Sequence, residues 1–217
     1  MATGYSQTGP TRLSERRRRT VEEALDHAQA IVAAQGVGAV TVSELARRMG
    51  MRGPSLYKYF PSLNAIYDAL FARGHERVAE YVGAAVGDLE PGLERLLAAA
   101  RAVARWSVTE SGLSPLMYWR PVPGFEPSPE SYAPSQAQWQ AMRADLTAAV
   151  RRGQLRPAAD SDAAMRMLTV LVGGICSQYL ANEPGVPPED SDFLALLDEA
   201  LEMYVRHYGP VRRKAKR

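Results

Sequence analysis

The sequence has few of the features that mark secreted or membrane proteins. It contains a single cysteine, Cys176, so no disulfide can form within the chain. Its longest apolar run, from Met167 to Cys176, is far shorter than the roughly 20 residues that span a bilayer. The first ten residues are polar and rich in Gly, Ser and Thr, unlike a signal peptide. These absences predict a soluble, cytoplasmic protein.

Motifs that carry catalysis or bind cofactors are missing as well. The His75-Glu76 pair is followed by Ala79, where a zinc-binding helix needs a second histidine. The segment 112–116 lacks the final glycine of a nucleophile elbow, and no glycine-rich phosphate loop occurs. The three histidines are far apart in the sequence, at His27, His75 and His207. We therefore expect no enzyme activity, no metal site and no cofactor.

The formal net charge of +2 hides an uneven distribution along the chain. Residues 1–60 carry nine Lys/Arg and five Asp/Glu, and the last seven residues carry five positive charges and no negative one. Residues 61–210 carry twelve positive and nineteen negative charges. Basic ends around an acidic middle indicate that one part of the protein meets a polyanion. Charges that merely lie on solvated faces would give the same distribution.

Helical periodicity runs through nearly the whole chain, and no segment alternates convincingly as strands do. Val21, Leu25, Ala28 and Val32 share one helical face, and Gly36 ends this helix. The expected fold class is all-α, with about nine helices. Further helices are predicted at 41–49, 53–60, 62–86, 91–110, 135–152, 161–181 and 191–208, with a short helix and a long loop in 111–134.

The most informative segment is 42–60, VSELARRMGMRGPSLYKYF. Thr41 before it fits a helix N-cap, and Glu44 three positions later completes a capping box. Ala46 is small enough for a second helix to cross over the first, and Gly50 lies where the chain must reverse. The apolar residues that would pack the two helices together are Leu45, Met49, Met51, Leu56 and Tyr59. The segment predicts a helix-turn-helix.

Three parts of this segment, Thr41 to Ala46, Gly50 and Ser55 to Phe60, resemble the DNA-binding domain of tetracycline-repressor (TetR) family regulators. The resemblance covers roughly residues 15–75, and the remainder matches only in the number and length of its helices. The predicted organisation begins with a disordered leader (1–15) and a helix-turn-helix DNA-binding domain (16–61). A helical ligand-binding and dimerisation domain (62–209) and a basic tail (210–217) follow.

The second short helix is expected to enter the major groove of DNA with its N-terminal part. Arg52 and Ser55 are the candidates for base edges, because arginine can bind guanine through two hydrogen bonds. The resemblance implies that Tyr57 and Lys58 lie at the DNA surface and that Tyr59 lies partly in the core, with its hydroxyl near phosphate. Contacts to the DNA backbone are predicted for Thr41, Arg47 and Arg48. Solvated surface arginines are the alternative interpretation.

Two basic segments remain open to two interpretations. The run Arg16 to Arg19 is either an arm that follows the DNA phosphates or a solubilising leader. The tail Arg212 to Arg217 is better explained as solubilising, because it follows the far domain. Leu63 and Asn64 replace the lysine and acidic residue usual in the family, so phosphate binding would rely more on the helix start at Ser62.

The helical domain contains one set of residues suited to a dimer interface and one suited to a ligand pocket. A regulator of paired half-sites is expected to be a symmetric dimer. The predicted interface lies on the last two helices, where Gly173-Gly174 would allow close approach, and comprises Leu168, Leu171, Val172, Ile175, Tyr179, Leu197, Leu201 and Tyr204. The predicted apolar pocket comprises Trp106, Met117, Tyr118, Trp119, Phe125, Trp139, Met142 and Met165. Ordinary core packing is the alternative for both sets.

The sequence thus predicts a ligand-responsive, DNA-binding transcriptional regulator. As a dimer it would repress from a palindromic operator on double-stranded DNA and be released by a small apolar or aromatic effector. The alternative is a helical protein-interaction module in which the helix-turn-helix serves only packing. The polar, basic residues Arg52, Ser55 and Lys58 argue against that alternative.

Overall fold

The computed structural model describes residues 12–110 and 112–210, in which all regular structure is helical. The predicted all-α fold is confirmed. Three short 3₁₀ turns lie between helices, and a single residue, Leu196, separates the last two helices. The α-helices are α1 (Arg12–Gln35), α2 (Val42–Arg48), α3 (Gly53–Leu56), α4 (Leu63–Val86), α5 (Leu93–Thr109), α6 (Ser114–Tyr118), α7 (Pro129–Arg151), α8 (Asp162–Asn182), α9 (Asp192–Ala195) and α10 (Leu197–Tyr208).

Helices α1 to α3 form the N-terminal unit. The hydroxyl of Thr41 accepts a hydrogen bond from the Glu44 amide at 3.1 Å and so begins α2. Gly50 has a φ of 63°, which lets the chain reverse between α2 and α3 without a steric penalty. Leu45 on α2 and Leu56 on α3 are completely or almost completely buried. These local features produce the predicted helix-turn-helix.

Helix α4 connects this unit to the rest of the chain. Ser62 begins it as expected, because its hydroxyl accepts from the Ala65 amide at 3.2 Å. The helix is 24 residues long and packs against α1 on one side and against α5, α6 and α7 on the other. Helix α4 therefore contacts both the N-terminal unit and the C-terminal part of the molecule.

Several helix boundaries differ from those predicted. Helix α1 begins at Arg12 and contains the run Arg16 to Arg19, which was predicted to precede the first helix as an arm or a leader. The high helix propensity of arginine fits this longer helix. Helix α3 ends at Leu56, and residues 57–59 form a turn. Helix α7 begins at Pro129 rather than Ser135. The rest of the predicted leader (1–11) and most of the predicted tail (211–217) lie outside the described residues.

Two hydrophobic clusters form the core. The first joins α1, α2, α3 and α4 and extends to Trp106, Leu113, Met117 and Phe125 of the C-terminal part. The second lies at the other end and contains residues of α5, α7, α8 and α10. The predicted boundary near residue 61 therefore has a continuous core across it.

Helix α8 is apolar on more than one face. It is 21 residues long and passes the length and composition test for a membrane span, which core helices of soluble proteins also pass. Its inward residues, including Leu168 and Val172, belong to the second core cluster. Met167, Val170 and Leu180 point outward and are 38% to 66% exposed. Part of its apolar surface therefore has no covering from the described residues.

Candidate DNA-binding surface and helical ligand domain

Five of the eight predicted DNA-contacting residues lie on or next to α3, whereas Thr41, Arg47 and Arg48 belong to α2 and its N-cap. Arg52 is the N-cap residue of α3 and is exposed, with Ser55 half-buried one turn later. Tyr57 has 52% of its surface exposed, and Lys58 beside it is also exposed. A cation, a hydroxyl and a phenol therefore project from one short stretch, which is the chemistry that reads base edges and phosphates.

Arg47 and Arg48 are less free than the sequence suggests. Glu44 accepts two hydrogen bonds from Arg47, both at 2.8 Å, and one from Arg48 Nε at 2.8 Å. These hydrogen bonds lower the pKa of the Glu44 carboxyl to about 2. The Glu44 carboxylate thus turns toward the arginines, and it is the Thr41 half of the expected capping box that forms. Each arginine would have to share Glu44 or leave it when it meets a phosphate.

Arg17 contributes to this surface in a way that sequence reasoning missed. Its guanidinium carbon lies 5.3 Å from the centre of the Tyr59 ring, and its Nη1 donates to the Lys58 carbonyl oxygen at 2.9 Å. Arg17 thereby links α1 to the turn that follows α3, the candidate recognition helix for DNA. No local pattern could have revealed this contact, because 41 residues separate Arg17 from Lys58.

A buried ion cluster joins α1 to α4. Arg73 is only 7% exposed, and its guanidinium donates to Asp26 Oδ1 at 2.6 Å, to the Glu22 carboxylate and to the Glu22 carbonyl oxygen at 3.2 Å. The Glu22 and Asp26 side chains are themselves more than half exposed, and their charges compensate the buried cation. The cluster links α1 directly to α4.

One turn of α1 further on, Gln29 contacts three parts of the C-terminal half. Its side-chain oxygen accepts from Arg77 of α4 at 2.9 Å, and its nitrogen donates to Glu110 at the end of α5 at 3.1 Å. Gly112 packs so closely that an added Cβ would lie 2.7 Å from the Gln29 carbonyl oxygen. The turn before α6 therefore packs directly against α1.

The residues predicted to form the pocket do not form one group. Trp106, Met117 and Phe125 are buried in the first core cluster, while Met165 is buried in the second cluster and Met142 packs against it. The remaining three are 37% to 40% exposed: Tyr118, Trp119 and Trp139. A surface groove of about 540 Å³ lies elsewhere, between α5 and α10, and is lined by Leu97, Arg101, Asp198, Leu201, Glu202, Val205 and Arg206.

Most residues predicted for the interface pack within the chain itself. Five of the eight belong to the second core cluster, namely Leu168, Val172, Tyr179, Leu201 and Tyr204. The other three, Leu171, Ile175 and Leu197, are half-buried. Apolar side chains that remain available to a partner are instead Met167, Val170, Leu180, Leu196 and Met203. The periodicity identified apolar helices but could not tell the inner face of each helix from its outer face.

The chain matches two family models, which define a bacterial regulatory protein. Residues 24–70 match the model of bacterial regulatory proteins of the tetR family, and residues 96–204 match the tetracyclin repressor-like C-terminal domain. The second match alone covers half of the chain. The protein therefore belongs to the TetR family of transcriptional regulators, and the resemblance of residues 15–75 is confirmed.

Individual relatives are more distant. The HTH-type transcriptional regulator Rv1816 of Mycobacterium tuberculosis is 29% identical over 100 residues, which are 45% of this chain and 43% of the relative. The chain thus matches less than half the length of this curated relative. FadR of Bacillus subtilis, in complex with stearoyl-CoA, superposes with a TM-score of 0.70 at 17% identity, covering 85% of this chain and 97% of FadR. The SmeT–triclosan complex has a TM-score of 0.64 at 22% identity, covering 89% and 93%. These two likenesses concern the fold.

Proposed function

We propose that the protein is a ligand-responsive repressor that binds a palindromic operator as a dimer in the cytoplasm. The observation that carries the proposal is the exposed set of polar and basic side chains at α3, held by a helix-turn-helix of the family that regulates transcription. Arg52 and Ser55 would contact base edges, and Thr41, Tyr57 and Lys58 would contact phosphates or sugars. The DNA-binding part would comprise residues 16–61 and the sensor part residues 62–209.

The dimer would form through the outer faces of α8 and of α9–α10. Val170 and Met203 are 66% and 56% exposed, far more than apolar side chains of a well-covered helix. At Gly173 and Gly174 no atom lies within 4 Å of an added Cβ, which leaves room for a second backbone to approach. Two such faces related by a two-fold axis would place two recognition helices on successive half-sites.

The effector would bind in the helical domain near α4, α6 and α7. Two fold neighbours are described as complexes with a small molecule, FadR with stearoyl-CoA and SmeT with triclosan. In this chain the half-exposed Tyr118 and Trp119 lie beside the buried residues of the first core cluster. Because α4 and the start of α6 both contact α1, a ligand that moves them would change the separation of the recognition helices.

The test is selection of a duplex operator from random sequences, followed by titration at moderate salt. We expect a palindromic site bound by two subunits. Arg52→Ala should weaken specific binding by about 1–3 kcal/mol and relax the preference at one base pair in each half-site. Ala141→Asp, at an exposed position of α7, is the control for a surface change. Failure to select any duplex, or unchanged affinity and base preference in Arg52→Ala, would contradict the proposal.

A further inference from the structure

The seam between α4 and α6 contains hydrogen-bonding atoms without partners. Among the residues that the structure describes, three buried side-chain polar atoms have no hydrogen-bond partner: His75 Nδ1, Ser114 Oγ and Arg156 Nε. His75 on α4 and Ser114 at the start of α6 are 4% and 0% exposed. Native proteins satisfy nearly all buried polar atoms, so two such atoms on one pair of packed helices call for a physical reason.

The surroundings of His75 are aromatic. Its ring centre lies 4.6 Å from that of Phe71 and 6.4 Å from that of Tyr118. Tyr132 packs on Phe71 at 5.5 Å and, like Tyr118, is more than one-third exposed, so the cluster extends from the core to the surface. Gln138 comes close, but its Nε2 donates to the His75 backbone carbonyl at 2.8 Å and leaves Nδ1 without a partner.

The buried charges of the molecule are already balanced. Arg73 and Asp145 are the buried charged side chains among the described residues, and each has ionic partners. Arg73 bonds Glu22 and Asp26, while Asp145 accepts from Arg95 at 2.7 Å. Burial lowers the pKa of His75 to about 4, so its imidazole is neutral at physiological pH. Arg73 and Asp145 are therefore already paired and are not free to pair with a charged ligand.

We propose that His75 is the polar anchor of the effector site and that the effector is a neutral molecule with a hydroxyl group on an aromatic body. The proposal rests on the sensor function argued above and specifies the chemistry of its ligand. A neutral imidazole presents one donor and one acceptor nitrogen, and a hydroxyl group can serve either. The aromatic body would stack among Phe71, Tyr118 and Tyr132 and reach solvent where the two tyrosines are exposed.

Three probes that share one ring system test the proposal on the full-length protein. These are β-naphthol, its methyl ether, which cannot donate a hydrogen bond, and the corresponding naphthoic acid, which is an anion at neutral pH. Binding is measured by calorimetry and by nitrogen NMR of isotope-labelled histidine. The chain has three histidines, so the His75 signals can be assigned by elimination with His27→Gln and His207→Gln.

We expect Nδ1 to be the acceptor nitrogen and β-naphthol to bind roughly tenfold or more tightly than its ether, because only the hydroxyl can donate to that nitrogen. Naphthoic acid should bind weakest. The preference for naphthol over the ether should disappear in His75→Phe, which keeps an aromatic ring. In the unaltered protein, naphthol but not the ether should shift the His75 Nδ1 resonance. This measurement does not depend on the folding of any variant.

Three results would overturn the proposal. The first is preferential binding of naphthoic acid, which would leave the sensor function intact but show that its ligand is an anion. The second is an unchanged His75 Nδ1 resonance at saturating naphthol. The third is no binding of naphthol at millimolar concentration. DNA binding of the ligand-free protein is measured in parallel. Loss of that activity would count against the regulator function and not against the anchor.

Discussion

At the scale of single residues, Arg17 is expected to position the recognition helix. The contacts of its guanidinium with Tyr59 and the Lys58 carbonyl hold the turn that follows α3 against α1. Loss of the cation–π contact and one hydrogen bond should weaken DNA binding by about 1–2 kcal/mol in Arg17→Ala. Because this cation contacts protein rather than phosphate, the dependence of affinity on salt should keep its slope.

Arg18→Ala is the matched control, since Arg18 is the exposed next residue on the same helix. If Arg18 contacts phosphate, its removal should make the salt slope shallower by about one. Titrations at four or more salt concentrations separate the two effects. A shallower slope in Arg17→Ala, or an affinity equal to that of the unaltered protein, would show that Arg17 does not act through Tyr59.

His75 should make stability depend on pH in a defined range. An unfolded chain takes up a proton on this histidine near pH 6.5, whereas the folded protein does so only near pH 4. The free energy of unfolding should therefore fall as the pH drops from 6.5 to 4, by on the order of 3 kcal/mol from this group. Outside that range the group contributes no pH dependence.

The measurement is denaturant unfolding across this pH range for the unaltered protein and His75→Phe. Acidic groups titrate in both proteins and cancel in the difference, so the difference curve should have its slope between pH 6.5 and 4. His207→Phe removes an exposed imidazole and should leave the pH dependence in place. Parallel curves for the unaltered protein and His75→Phe would mean that His75 is not held neutral by burial.

At the scale of helices, sequence patterns located most elements because their start signals are local. Thr41 and Ser62 were recognisable as helix starts, and each accepts a hydrogen bond from an amide three residues later. The predicted start of α7 was wrong although local signals mark it, because Ser128 caps the helix through the Ser131 amide and Pro129 follows at the first helical position. A distant residue supports this cap as well. Asp68 on α4 accepts hydrogen bonds from the amide and hydroxyl of Ser128, which caps α7.

The candidate DNA-contacting residues could be chosen from the sequence alone, since most of them lie within one short motif. The contacts of α1 could not, because they join residues 41 to 81 positions apart. The sequence also could not predict which residues of α8 are buried, because Leu168 and Val170 are equally apolar but face opposite ways. Local chemistry thus predicts elements, and long-range packing decides which of their faces are free.

The contact between α1 and the turn before α6 provides a prediction at this scale. Gly112→Ala would place a Cβ 2.7 Å from both Cγ and the carbonyl oxygen of Gln29, so α1 or the turn must move. We expect a loss of stability of about 1–3 kcal/mol and faster amide hydrogen exchange in α1. DNA affinity should fall as well, because α1 carries the contacts that orient α3.

Gly83→Ala is the matched control, because no atom lies within 4 Å of a Cβ added at this exposed site on α4. It should be neutral or slightly stabilising, since alanine favours a helix over glycine. Unchanged hydrogen exchange and DNA affinity in Gly112→Ala would indicate that the turn before α6 yields without moving α1. Effector binding would then have to be coupled to DNA binding through α4 alone.

At the scale of the whole molecule, the exposed apolar face of α8 should determine whether the protein dimerises and so binds both half-sites of an operator. Val170 is the most exposed residue of this apolar face, at 66%. Val170→Asp would bury a carboxylate in the dimer, at a cost of more than about 2 kcal/mol per subunit. Sedimentation should then show a monomer at concentrations where the unaltered protein is a dimer.

The DNA consequence distinguishes assembly from folding. A monomer engages the two halves of an operator separately, so Val170→Asp should lose affinity for the full palindrome while its affinity for a single half-site stays the same. Ala141→Asp introduces the same charge on α7, away from the proposed interface, and should leave both affinities and the dimer unchanged. If Val170→Asp remained a dimer with full operator affinity, the outer face of α8 would not be the interface. The pairing surface would then have to be sought elsewhere, because the inner residues of α8 are already occupied by the chain's own core.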